Sequence, residues 1–393
     1  MCLNGETILG FGCICPSFSI CGIKTLICIN TGNCCKPGTA AACFFQIISL
    51  RTVRNLKNNR VESSRWNLHR LLKPNGLDSG KGLIRFVKAI FCTTLLIELL
   101  GAFLSFPVFF RDYPLPRAVG LSLFHSVASF NNSGFDVLGN GTSLIPYQKD
   151  VLLNLVTCAL VIAGGIGFPV IFELPLKHFS WKRQSMHTRV VLSTTFALLL
   201  FGTLLLKLTE SISWLGAFFY SVSARTAGFS TYNLGDFSTA GLLVVSGLMF
   251  IGASPASTGG GIKTTTFFVL LSGIYSAATN HSERAFHNAI PKDAFRKASV
   301  ISILAAFLVM TASYLMLIFD PQLSLRDVLF EMISAFSTSG LSTGITPQLS
   351  AQSRILSIIM MYIGRLGPLT VASLWYFTIG ERVRYPEGTI AIG

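Results

Sequence analysis

Residues 214–231 read WLGAFFYSVSARTAGFST, a short apolar stretch that runs into a small-residue turn at Gly228. The same pattern stands twice more, as LSLFHSVASFNNSGFD at 121–136 and LRDVLFEMISAFSTSGLST at 325–343. Setting Gly134, Gly228 and Gly340 in register without gaps also aligns Phe135, Phe229 and Leu341 after them, and Asn132, Thr226 and Thr338 two positions before. The glycines lie 94 and 112 residues apart, a long internal repeat whose unit must be understood before any single residue.

Working outward, each stretch is preceded by an apolar run near the ~20 residues needed to cross a bilayer, and another run follows it. Ala89–Phe110 has Glu98 as its only charge; Val190–Leu206 and Ala298–Phe319 have none. The runs that follow are Val151–Leu176 with Glu173, Phe237–Thr279 interrupted by Gly259, Gly260, Gly261 and Lys263, and Ile355–Ile379 with Arg365. None reads as a signal peptide. The 393 residues are 51% hydrophobic and 12% charged, with mean hydropathy +0.60. Soluble domains carry about 25% charged residues, so lipid is the expected solvent. The expected fold is an all-α polytopic membrane protein of span–half-helix–span repeats.

The net charge of +14 follows the same repeat. Ten Lys/Arg fall between Arg51 and Lys88, and further clusters stand at 177–189, 284–297 and 382–384, whereas the intervening connections hold few. The positive-inside rule places the basic connections and the C-terminus in the cytoplasm of a plasma-membrane protein. Because the charges track topology, nucleic acid is not the expected partner.

A half-helix that ends in a glycine turn at membrane depth leaves carbonyls unpaired, which is tolerated only where protein or water meets them. Such carbonyls can replace the hydration shell of a cation, and the half-helix C-terminus adds negative potential. The competing reading of one such glycine is close helix packing; three in matched context favour a pore. The stretch GASPASTGGGIKTTT (252–266) breaks its helix with small polar residues suited to a wet cavity. It is not a phosphate loop, since Ile262 separates Gly261 from Lys263 and the flanks are apolar helices rather than a strand and a helix. Arg365 is a charge within a span, which faces either a cavity or an acid partner such as Glu98. Glu331 and Arg225, inside or beside the half-helices, are candidates for bracing the turns. For His125, in the first half-helix, packing is the expected role.

At NNSGFD, ARTAGFST, FSTSGLST, GASPASTGGGIKTTT, GRLGPLT (364–370) and RVRYPEGTIAIG the sequence resembles the Trk/Ktr/HKT superfamily of potassium transporters, most of all its KtrB-type subunits. The resemblance covers roughly residues 46–393. It implies four repeats around a pseudo-four-fold central pore, potassium uptake with sodium as a conceivable coupling ion, no further cofactor, a homodimer, and a cytosolic nucleotide-binding regulatory subunit. It also implies a selectivity filter of backbone carbonyls at Asn132, Ser133, Gly134 and Phe135, at Thr226, Ala227, Gly228 and Phe229, and at Thr338, Ser339, Gly340 and Leu341. Gly259, Gly260, Gly261 and Lys263 would form a gating loop below it, faced by Arg365 as an electrostatic barrier. The units would be a second repeat at 89–189, a third at 190–297 and a fourth at 298–393.

The chain departs from that pattern at its start. Residues 1–45 hold eight of the ten cysteines and no clean span, and 46–88 form a basic linker. A disulfide framework lacks a secretory segment, and a zinc site lacks histidine and the usual spacing. The expectation is a first repeat that is truncated or read out of frame, and a chain that transports poorly alone. Two other functions stay open: a non-transporting structural or regulatory membrane subunit, and a membrane-embedded enzyme. The enzyme is disfavoured because the six histidines are scattered without metal-ligand spacing.

Overall fold

The computed structural model describes residues 80–368 except 140, 280–283, 287 and 292, with side chains from residue 89. The cysteine-rich segment, most of the basic linker and the C-terminal tail lie outside the described residues.

Among the described residues three helices are long and apolar enough to cross a bilayer: Ala89–Asp112 within α1 (Gly80–Asp112), α5 (Met186–Thr209) and α9 (Ala294–Phe319). At about 1.5 Å per residue each exceeds the ~30 Å hydrocarbon core. Their outward faces are apolar, with Phe103 74% and Ile303 70% exposed, as lipid contact requires. Helix α1 already begins at Gly80, inside the stretch read as linker. After each span comes a half-helix: α2 (Leu115–Phe130), α6 (Trp214–Ser223) and α10 (Leu325–Ser337). With 16, 10 and 13 residues they reach only part of the way across. Each turn then climbs to a third helix, α3 (Val151–Ile166), α7 (Thr239–Phe250) and α11 (Ala351–Leu366). Helices α4 (Phe168–Leu176) and α8 (Thr264–Thr279) continue the first two of these, and a two-stranded hairpin of β1 (Arg284–Ala285) and β2 (Asn288–Ala289) precedes α9.

The third helices repeat in chemistry as well as position. Each has a side-chain N-cap: Asp150 accepts the Leu153 amide, Ser238 that of Gly241 and Ser350 that of Ser353, satisfying donors a bare helix start leaves unpaired. An acid at the end of the first span fastens that start. Asp112 accepts the Tyr147 hydroxyl at 2.7 Å, Glu210 the Ser238 hydroxyl at 2.6 Å and Asp320 the Ser350 hydroxyl at 3.0 Å. Span, half-helix and third helix thus form one strapped unit, and side chains between units build the core from Leu206 through Met249 to Phe336 and Met360.

Helices end inside two spans expected to be continuous. Val151–Leu176 bends by 97° between α3 and α4. Gly167 takes φ 89°, ψ 147°, which ends the helix, and Pro169 stands in the first turn of α4, where its missing N–H costs no bond. In Ile355–Ile379 the helix ends at Leu366, Gly367 taking φ 88°, ψ 136° before Pro368, and the rest of that expected span lies outside the described residues. The third helix breaks at Ile251, and residues 251–263 cross as a loop pinned by a parallel bridge between Ile251 and Ile262.

Candidate ion pathway

The three glycine turns share one pattern in the sign of φ. Asn132, Thr226 and Thr338 take φ of 50°, 82° and 56°, and Gly134, Gly228 and Gly340 take 57°, 79° and 79°. The residue between each pair, Ser133, Ala227 and Ser339, has negative φ. In a strand of uniform handedness successive carbonyls alternate sides; alternating the sign of φ turns them toward one side. Left-handed backbone costs a non-glycine residue about 1–2 kcal/mol, so three strained polar residues in one place point to a constraint beyond packing. The half-helices end immediately before these turns, and their amide bonds lead into them: Ser133 donates to the Ala128 carbonyl, Ala227 to Ser223 and Ser339 to Ser334.

The turns lie side by side. A Cβ on Gly134 would run into the Ala227 carbonyl oxygen, and one on Gly228 into that of Ser339. The Thr226 hydroxyl donates to the Asn132 amide oxygen across the first pair, 3.1 Å, in the amide orientation that satisfies its neighbours. Ser339 donates its hydroxyl to the Ala224 carbonyl across the second, 3.3 Å. Every residue of the three turns is buried save Phe135, which is half-buried.

Directly against them runs the 251–263 loop. A Cβ on Gly259 would meet the Thr226 hydroxyl, and one on Gly260 the Thr338 hydroxyl. A Cβ on Gly261, at φ 68°, would meet Gly252 and the Met249 carbonyl at the end of α7. Two cations hold consecutive loop carbonyls: Arg365 donates to Thr258, and Lys263 to Gly259 at 2.7 Å. The loop is also tied to the α3–α4 bend, where Ser254 donates to the Gly165 carbonyl at 3.0 Å and Phe168 to that of Ala256 at 3.3 Å.

The other candidates take clear places. Glu98 does not pair with Arg365; its carboxylate accepts the Asn131 amide at 2.8 Å, joining α1 to the residue before the first turn. Glu331 accepts the Thr346 hydroxyl at 2.7 Å, bracing the chain beyond the last turn. Arg225 is buried with a long contact to the Gly252 carbonyl, 3.5 Å. His125 bonds the Thr157 hydroxyl at 2.8 Å and stacks edge-on with Phe109 and Phe229, a packing role. Among the described residues no His, Cys, Asp and Glu side chains cluster as metal ligands.

Reading the sequence for glycine turns missed a second repeated glycine. Counted from the caps Asp150, Ser238 and Ser350, Gly164, Gly252 and Gly364 fall in register. Gly164 presses on the Phe130 carbonyl and Gly364 on that of Phe336, each two residues before its turn's left-handed residue. The cap-to-glycine spacing was visible in the sequence and would have found them.

The family model "Cation transport protein" (TrkH) matches residues 79–208 and 184–377. The chain is 34% identical over 336 residues to Ktr system potassium uptake protein B of Vibrio alginolyticus, covering 81% of this chain and 72% of that protein. It is 33% identical over 326 residues to the protein of the same name from Bacillus subtilis, covering 79% and 72%. To potassium/sodium uptake protein NtpJ of Enterococcus hirae it is 32% identical over 335 residues, covering 81% and 74%. The crystal structure of the potassium transporter TrkH from Vibrio parahaemolyticus superposes with TM-score 0.62 at 17% identity, over 77% of this chain and 66% of that one, a likeness of fold. Repeated spans, broken helices and these matches lead to one assignment: the chain is a multi-pass membrane protein of the TrkH cation transport family, a transporter family and not an enzyme family.

Proposed function

We propose that this chain is the ion-translocating subunit of a Ktr/Trk-type potassium uptake system, and that carbonyls of the 132–135, 226–229 and 338–341 turns bind the ion. The observation that carries the reading is the alternating sign of φ repeated in three adjacent turns. Carbonyls turned to one side, with three half-helix C-termini behind them, make a site of negative potential for a cation that has lost its water. The three units, 89–189, 190–297 and 298–393, are members of a four-unit ring. The 251–263 loop is the gate beneath them, and Arg365 and Lys263 oppose cations there by charge. The basic connections face the cytoplasm, where a nucleotide-binding regulatory subunit docks, and the chain pairs as a homodimer. The names of the curated relatives support potassium as the ion, and that of NtpJ supports a role for sodium.

The test is rubidium uptake by bacteria lacking their own potassium uptake, expressing the chain with a Ktr-type regulatory subunit. With residues 1–45 atypical, uptake is expected to be low yet above the empty-vector rate, and to fall to that rate in Gly228→Ser at equal membrane abundance. Uptake no greater than the vector's would overturn the reading in favour of a non-transporting subunit.

A further inference from the structure

Three turns alike in the sign of φ need not offer equal ligands. Ser334 in α10 accepts the Thr338 and Ser339 amides through its carbonyl, and donates its hydroxyl to the Leu341 carbonyl at 2.6 Å. Ser223, the last residue of α6, accepts the Ala227 and Gly228 amides and donates its hydroxyl to the Phe229 carbonyl at 2.5 Å. Both serines are buried, and a buried hydroxyl gives up a partner only at a cost. Both distances are at the short end for O–H···O bonds. The half-helix stands behind its own turn, while the neighbouring turns stand beside it. A carbonyl aimed back at a half-helix hydroxyl is therefore turned from the space the turns share.

The first turn lacks this clamp. In the register of the three glycines the place of Ser334 is taken by Ala128, whose carbonyl accepts both the amide and the hydroxyl of Ser133 at 2.9 Å. Alanine has no hydroxyl to offer Phe135. The place of Ser223 is taken by Ser129, whose hydroxyl faces His125 at 3.5 Å rather than the Phe135 carbonyl. Among the described residues no half-helix side chain bonds the Phe135 carbonyl.

We infer that Ser223 and Ser334 are positioning residues that withdraw the fourth carbonyl of their turns from the pathway, so that Phe135 supplies an ion ligand where Phe229 and Leu341 do not. The inference rests on the proposed function and corrects its ligand set from four carbonyls per turn to an unequal one. Releasing either clamp frees a carbonyl to swing, and the site loses its fixed size. Discrimination between cations then falls before binding does, because every carbonyl dipole attracts every cation and only a held geometry distinguishes them.

The experiment compares the unmodified chain with Ser223→Ala, Ser334→Ala, Ser334→Thr and Ala128→Ser. Two readouts are taken: the ratio of rubidium to sodium uptake in cells, and thermal stabilisation of the purified chain by potassium against sodium. Loss of one hydrogen bond corresponds to a factor of roughly two to ten, so the alanine variants are expected to lose about threefold to tenfold in the ratio. Ser334→Thr keeps its hydroxyl and the ratio. Ala128→Ser is expected to change the ratio although it removes nothing. If the alanine variants carry rubidium with a ratio within twofold of the unmodified chain, the hydroxyls merely pack and the inference falls. If those variants fail to fold, an unchanged ratio in Ala128→Ser overturns it equally. An unmodified chain that neither takes up rubidium nor is stabilised by any alkali cation fails the proposed function itself, and this inference with it.

Discussion

A single methyl group probes the turns. Gly134→Ala would place a Cβ against the Ala227 carbonyl at φ 57°, adding about 1–2 kcal/mol of left-handed strain to about 1–3 kcal/mol of overpacking. Rubidium uptake is expected to drop more than tenfold, while the same substitution at Gly139, at φ 88° with nothing within 4 Å, adds left-handed strain but no clash. Arg365→Gln removes a charged bond to the Thr258 carbonyl; bonds of that kind are worth about 1.5–3 kcal/mol. A gate so weakened opens more often, and the initial rate of uptake should rise about tenfold; an unchanged or lower rate would separate Arg365 from gating. At Glu98 the conservative change is the informative one. Glu98→Gln keeps an acceptor for Asn131, whereas Glu98→Leu abolishes the bond and should lower unfolding stability in detergent by about 1 kcal/mol. The glycines were legible because left-handed backbone favours glycine over every other residue. Ser223 and Ser334 were not, since serine is common and its role appears only when the turn folds back within reach of its hydroxyl.

Among elements, the starts of the third helices are the fixed points. At Asp320, burial alone would raise the carboxyl, but hydrogen bonds from Ser353 and Ser350, with Gln322, outweigh it and hold the group below the usual carboxylate range. A carboxyl depressed in the folded state adds stability above its unfolded pKa, near 4, and that stability disappears as pH falls through the lower folded value. Melting of the purified chain between pH 7 and 3 should show this loss, and Asp320→Asn should flatten it. Removing the cap itself, by Ser350→Ala, should cost about 1 kcal/mol at pH 7. Element existence was readable from apolar length and interruption. Continuity was not. Val151–Leu176 and Ile355–Ile379 are long enough to cross unbroken, and the bend at Gly167 and the helix end at Gly367 depend on a glycine adopting φ near 90° ahead of a proline. Either glycine would also be acceptable within a packed membrane helix.

At the scale of the molecule, the repeat decides the architecture and the charge pattern its expected orientation. Short epitope tags test the latter. One inserted after Lys182 should bind antibody only in broken cells, and one after Gly141 in intact spheroplasts. The reverse result would invert the assigned topology. The order of the units around the pathway could not be read from sequence, because it depends on contacts such as Gly228 against Ser339 that join residues more than a hundred positions apart. What the sequence did carry was the unit itself, since a half-helix ending in glycine at membrane depth has few physical solutions.

The two cations that grip the 251–263 loop differ in one respect. Arg365 belongs to α11 and stays with its helix, whereas Lys263 is part of the loop and bonds back to Gly259 within it. A loop that carries its own charge cannot move along the membrane normal without doing electrical work, about 2.3 kcal/mol for one elementary charge crossing 100 mV. A partial displacement takes a proportionate share. An inside-negative potential pulls Lys263 inward, so the voltage that draws potassium into the cell would also bias the loop toward one of its positions.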